Sequence, residues 1–255
     1  MTSMELKTAL EEGRGISVSC NTIDRACAQA DYTCKQLTRS ALEANDQLKA
    51  AFVATVGNGE YTARQFIFVD ETRINRITPC RHIGRSVLGS RACRRDYFVR
   101  GKSYSGIAAI SLDGIRHFDA VPGAANGQLF NIFIENLLDT MNPWPQDNSV
   151  LVMDNASIHK TRGIRELVEA RGCRLLYLPP YSPELNPIEE AFSTIKAHIR
   201  RRRNEVLAAM EASDAAFYDI LWDIVFSVTP QMAAGCLDGP DDLRTYGEEG
   251  YVCIV

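Results

Sequence analysis

Two short apolar runs, residues 65–69 (QFIFV) and 149–153 (SVLVM), each stop at an aspartate, Asp70 and Asp154. Runs of this length and composition predict strands buried on both faces, since a strand with one wet face alternates apolar and polar positions. Strands buried on both sides require a sheet covered by helices. The same runs also set two acids at equivalent strand ends, where the backbone is rigid.

The sequence between and around them fills in the layers. Residues 103–112 and 115–121 flank Asp113-Gly114, a pair that tolerates positive φ and predicts a hairpin beside the first strand. Residues 126–141 carry Leu129, Ile132, Phe133, Leu137 and Leu138 at helical spacing and are stopped by Pro143 and Pro145. Residues 161–170 predict a helix ending at Gly172, and residues 174–178 a further strand. Residues 187–203 predict a helix with Asn186 as cap and Ile188, Phe192, Ile195 and Ile199 along one face. Upstream, Asn21 and Asp24 predict a capped helix start, residues 40–56 a helix of high propensity, and Gly57-Asn58-Gly59 a boundary. Strand, hairpin, helix, strand, helix, strand, helix is the order of an α/β ribonuclease H-like fold, a mixed sheet flanked by helices.

Composition excludes several classes. With 255 residues, 45% apolar and 24% charged, the chain is long enough for one sizeable core and has globular proportions. Its longest apolar runs fall far short of the ~18 residues that cross a bilayer, so no membrane partner is expected. The first 14 residues lack the apolar core of an export signal, and Cys253, third from the end, does not fit a lipid anchor. The eight cysteines show no Cys-x-x-Cys spacing and predict reduced thiols. Cys80, His82 and Cys93 form the one grouping that resembles zinc ligands. Net charge is −4, yet basic residues cluster: Lys196, His198 and Arg200, Arg201, Arg202 and Arg203 in one group, and Arg81, Arg85, Arg91, Arg94, Arg95, Arg100 and Lys102 in another. Such clusters are either solvated faces or phosphate contacts.

Cleaving or joining a phosphodiester needs an activated nucleophile, an in-line leaving oxygen and neutralised phosphoryl charge, all of which divalent ions supply. Magnesium prefers oxygen ligands, so the protein signature is several acids converging from different elements. Taken singly, each acid has a structural explanation: Asp70 as a turn former, Asp154 as an Asx turn, and Glu189 as a capping glutamate three residues after Asn186. Their joint pattern decides.

That pattern comprises Phe68-Val69-Asp70-Glu71-Thr72, then Val152-Met153-Asp154-Asn155-Ala156-Ser157-Ile158-His159-Lys160, then residues 178–190 (LPPYSPELNPIEE), with 34 residues between Asp154 and Glu189. It resembles the mariner superfamily of transposases and bacterial insertion-sequence relatives, within the DDE endonucleases, over about residues 16 to 205. The resemblance implies that Asp70, Asp154 and Glu189 are the catalytic, metal-holding triad for Mg²⁺ or Mn²⁺, with Glu190 a non-catalytic neighbour and Asn155 and His159 lining the site. For His159 an exposed position in a helix-leading loop is the competing expectation. It implies DNA as the partner, contacted by Lys196, Arg200, Arg201, Arg202, Arg203, Arg85, Arg94 and Arg95, with a homodimer as an open option and the nucleus (eukaryote) or cytoplasm (bacterium) as location. On this reading residues 1–60 are a partial helix-turn-helix remnant and linker helix, 61–205 the catalytic domain, and 206–255 a helical segment and divergent tail. The chain is then an N-terminally truncated member that cuts and joins DNA by two-metal phosphoryl transfer. The alternative is a catalytically idle, transposon-derived DNA-binding protein.

Overall fold

The computed structural model describes residues 2–34, 43–81, 83–156, 159 and 163–237. It divides into two compact units, Met1–Leu42 and Glu43–Val255. The first holds α1 (Ser3–Arg14) and α2 (Cys20–Gln29). A capping box of Thr2 and Glu5 starts α1, and Gly15, at φ 65°, ends it. The expected cap at Asn21 is corrected: Ser19 caps α2, so the helix begins two residues earlier, with the Ser19 hydroxyl accepting from the Thr22 N–H. Asp24 does not reach back to cap; it accepts from the Ser3 hydroxyl.

The second unit opens with α3 (Asp46–Val56). The helix expected from residue 40 starts six residues later, because the Asn45 side chain accepts from the N–H groups of Gln47 and Leu48 and fixes the first turn there. Residues 40–42 lie outside the described residues, as do His82, Ser157, Ile158, 160–162 and the tail 238–255 on which other expectations fell. Phe52 and Val56 pack into the core of this unit, so the glycine break at 57–59 is a turn within it.

The sheet contains β1 (Phe66–Asn75), β2 (Ser103–Ser111), β3 (Gly114–Pro122), β4 (Val150–Met153) and β5 (Arg174–Tyr177) in the order β3-β2-β1-β4-β5. Gly114, at φ 106°, makes the β2–β3 hairpin turn that Asp113-Gly114 predicts. β1 runs antiparallel to β2 and parallel to β4, and β4 runs parallel to β5, which makes the sheet mixed.

Strand alternation sorts the buried residues into two cores. Phe66, Phe68, Val150 and Val152 face one side, against α6 (Ile188–Arg201), α7 (Arg203–Ala212), α8 (Asp214–Val225) and α9 (Pro230–Leu237). Ile67, Val69, Leu151 and Met153 face the other, against α4 (Gly127–Leu138) and α5 (Ile164–Ala170). Asn126 caps α4, accepting from the Leu129 N–H at 2.9 Å, and the helix stops at Leu138, short of the expected 141. Among the described residues no helix is long and apolar enough to cross a membrane.

Two expectations about the site's framework are corrected. β1 does not stop at Asp70 but continues to Asn75, because the antiparallel ladder with β2 extends through Asp70↔Ala108 to Asn75↔Ser103. The helix expected over 187–203 breaks at Arg202, whose side chain pairs with Glu205 and Asp223 while Arg203 begins α7.

Candidate active site

The parallel ladder between β1 and β4 ends at Val69↔Met153. Asp70 and Asp154 are the next residues on their two chains, and alternation turns both side chains toward the α6 face of the sheet. β4 ends there while β1 continues, which leaves a notch. The third acid arrives from α6. That helix buries Ile188, Ala191, Phe192, Ile195 and Ile199, and so leaves Glu189 and Glu190, in its first turn, at the surface. Asp70, Asp154 and Glu189 line one cleft of about 380 Å³ together with Asn155, Tyr181 and Asn186. Glu190 is exposed and is not among the lining residues.

Each aspartate is held by named donors. Asp70 Oδ1 accepts from the Glu71 N–H at 2.7 Å, and Oδ2 accepts from the Asn186 side-chain amide at 2.8 Å. Asn186 therefore does not cap α6 as expected. Pro187 occupies the cap position with no side-chain hydrogen bond, and Asn186 is buried against Asp70 with its own Oδ1 unpartnered. Asp154 Oδ1 accepts from the Ala156 N–H at 2.9 Å, so the Asx turn foreseen for this residue exists within the cleft wall.

The electrostatics follow from burial and like charge. Burial, followed by the nearby carboxylates of Asp154, Glu71 and Glu189, pushes Asp70 up to about 7, against the bond from the Glu71 N–H. Burial also works against Asp154, but contact with His159 and the Ala156 N–H outweighs it and holds this carboxyl below its ordinary range. His159 is fully buried, contrary to an exposed loop position. Its Nε2 meets both oxygens of Glu71 at 2.9 and 3.0 Å. Its Nδ1 lies close against Asp154 Oδ1 as an ion pair. Burial opposes its charge, yet the two carboxylates lift His159 well above the usual histidine range.

Three residues escaped the sequence reading. Glu71, a second consecutive acid inside a strand, takes up His159; adjacent acids in an apolar strand are the available signal. Asn186, beside a proline-led helix, reads as a cap in the sequence alone. Asp96 pairs with Arg203, which nothing in the sequence indicated.

The basic residues divide. Arg81, Arg94, Arg201, Arg202 and Arg203 line one cleft, and Arg85 and Arg91 join Arg81 and Arg94 in a wider one of about 1010 Å³. Arg200 borders a third with Arg81, whose guanidinium donates to the Arg200 carbonyl. Arg85, Arg94 and Arg95 are exposed, while Lys196 is half-buried on α6. The four consecutive arginines are not one stripe, since Arg202 and Arg203 are engaged by Glu205 and Asp96. In the zinc-like grouping Cys80 is buried and Cys93 exposed, both as free thiols.

Comparison with known proteins gives concordant results. A family model described as DDE superfamily endonuclease matches residues 65–209. The transposable element Tcb2 transposase of Caenorhabditis briggsae is 31% identical over 94 residues, 35% of this chain and 32% of that protein. The chain thus matches about a third of that relative's length. The pre-cleavage Mos1 transpososome shares the fold with a TM-score of 0.58 at 18% identity, over 92% of this chain and 73% of that one. The mariner Mos1 paired end complex with Mg gives a TM-score of 0.59 at the same identity and coverage. At such identity the likeness establishes the fold, which is ribonuclease H-like.

Proposed function

The chain belongs to the DDE superfamily endonucleases, and on that premise we propose that Asp70, Asp154 and Glu189 hold divalent ions, Mg²⁺ or Mn²⁺, for cutting and joining DNA. The observation that carries this reading is the crowding of three carboxylates, from β1, the end of β4 and α6, around one cleft, with Asp70 raised to about 7. Like charges held this close repel, and a divalent cation relieves the repulsion. The donors suit a hard cation, being carboxylate oxygens together with the unpartnered carbonyl oxygen of the Asn186 side chain. Bound ions would supply the charge that offsets the scissile phosphate and activates the attacking oxygen.

The chain's own groups then have separate roles. Asp154, with Oδ1 committed to Ala156 and His159, lines the cleft with its carboxylate. Asp70 is oriented by Asn186. Glu189 is carried on a helix anchored by five buried side chains. Arg85, Arg91, Arg94 and Arg201 would meet phosphates, a contact that positions DNA without reading its sequence. DNA as partner is further supported by the neighbouring Mos1 transpososome and paired end complexes.

The test is calorimetric titration with Mn²⁺ beside a Mn²⁺-dependent nicking assay on duplex DNA, for the parent and Asp154→Ala. The parent binds and nicks; the variant does neither. Equal metal binding by both chains places the ions elsewhere, and metal binding without nicking leaves the DNA-binding alternative.

A further inference from the structure

Asp70 and Asp154 share the α6 face of the sheet with Glu189, but the next residue of β1, Glu71, must point to the opposite face. There it meets His159, whose ring is fully buried and stacked on Phe130 of α4 with centroids 4.4 Å apart. The backbone at His159 is also tied down: its carbonyl accepts from the Tyr177 hydroxyl at 3.0 Å, and its N–H donates to the Ala156 carbonyl at 3.1 Å. From this position the ring spans the end of β4, touching Glu71 with Nε2 and Asp154 with Nδ1.

We propose that Glu71 and His159 are a positioning pair that fixes the Asp154 carboxylate from the far face of the sheet, touching neither metal nor DNA. The proposal rests on the metal-site reading above. Ligand atoms of Asp70, Glu71 and His159 do come within 4.8 Å of one another, an arrangement that could itself hold a cation. The cleft argues for the other assignment. Asp70, Asp154 and Glu189 line it, whereas Glu71 and His159 do not. Both nitrogens of His159 are already turned to carboxylates, and both Glu71 oxygens are occupied by Nε2. Asp154 Oδ1 is thereby pinned between Ala156 and His159, and the Asp154 carboxylate lines the cleft. A partner that orients a ligand in this way commonly affects metal affinity by about 10- to 100-fold.

Three variants of the full chain separate positioning from ligation: Glu71→Ala, Glu71→Asp and Glu71→Gln, each titrated with Mn²⁺ alone and melted in chelator to verify folding. Glu71→Ala removes the partner, and Glu71→Asp keeps the charge but falls short of the ring. Both are expected to weaken Mn²⁺ binding about 10- to 100-fold. Glu71→Gln keeps an acceptor for the Nε2–H and retains most of the affinity. If Glu71→Ala does not fold, the contrast between Asp and Gln decides. Unchanged affinity in Glu71→Asp overturns the proposal, because the contact then does no positioning. Loss of all binding in Glu71→Gln also overturns it, because Glu71 is then a ligand. A parent chain that binds no Mn²⁺, or an Asp154→Ala chain that binds like the parent, overturns the underlying metal site instead.

Discussion

The side-chain amide of Asn186 donates to Asp70 Oδ2 at 2.8 Å, linking the approach to α6 with the middle of β1. That single bond does not offset the burial and like charge that raise Asp70 to about 7. A carboxyl whose folded pKa lies above its unfolded value stabilises the fold when protonated, and this contribution is lost as pH rises through the folded value. In chelator the parent chain should therefore lose stability between about pH 4 and pH 7, by at most about 4 kcal/mol given the rise from 3.8. Asp70→Asn should flatten that part of the curve, and saturating Mn²⁺ should restore the parent at pH 7. Denaturant unfolding across this range, with and without metal, is the measurement; parallel curves for parent and variant would refute the assignment.

Glu189 and Glu190 are adjacent on α6, and only Glu189 lines the acidic cleft. Glu189→Gln should abolish Mn²⁺-dependent nicking with melting temperature held, and Glu190→Gln should keep most of the activity. The reverse ranking, scored on the same supercoiled plasmid, moves the third acid by one residue.

Phe192 sits three residues after Glu189 and is 1% exposed in the core beneath α6. Phe192→Ala leaves a cavity and should cost about 3–5 kcal/mol. Because the same helix carries Glu189, the variant should also lose nicking activity at temperatures where circular dichroism still reports a folded chain. Full activity there would show that the position of Glu189 does not depend on this anchor.

Phosphate contact by the exposed arginines predicts steep salt dependence. Replacing Arg85, Arg91 and Arg201 with alanine should flatten the slope of log affinity against log salt by up to about three units if each meets one phosphate. Arg203→Ala should act differently, lowering the melting temperature, because Arg203 is paired with Asp96 and largely covered. Fluorescence anisotropy with random duplex measures the first and calorimetry the second. A slope unchanged by the triple replacement removes these arginines from the DNA interface.

Apolar runs, the Asp113-Gly114 turn and the amphipathic faces of α4 and α6 made the sheet and its layers legible, because burial imposes periodicity on the sequence. Strand ends were less so. β1 passes through Asp70 because β2 offers a ladder partner at each position, a tertiary fact with no local signature. Asn186 illustrates the same limit: beside a proline-led helix an asparagine reads as a cap, and only the distant Asp70 explains its actual bond. His159 could be named as a site residue from its neighbours in the motif, but its burial follows from Phe130 and Glu71, which are far away in sequence. The split of the arginines depended on Asp96, again a partner visible only in three dimensions.

Because β1 runs on past Asp70 while β4 stops at Met153, the two aspartates stand on supports of unequal stiffness. Asp70 is locked in a ladder that continues five residues beyond it, whereas among the described residues 154–156 make no ladder bonds. The notch is built like a vice with one fixed jaw. On the proposed metal-site reading β1 is the stationary reference, and the Asp154 side is held by its contacts with Ala156 and His159 rather than by ladder bonds.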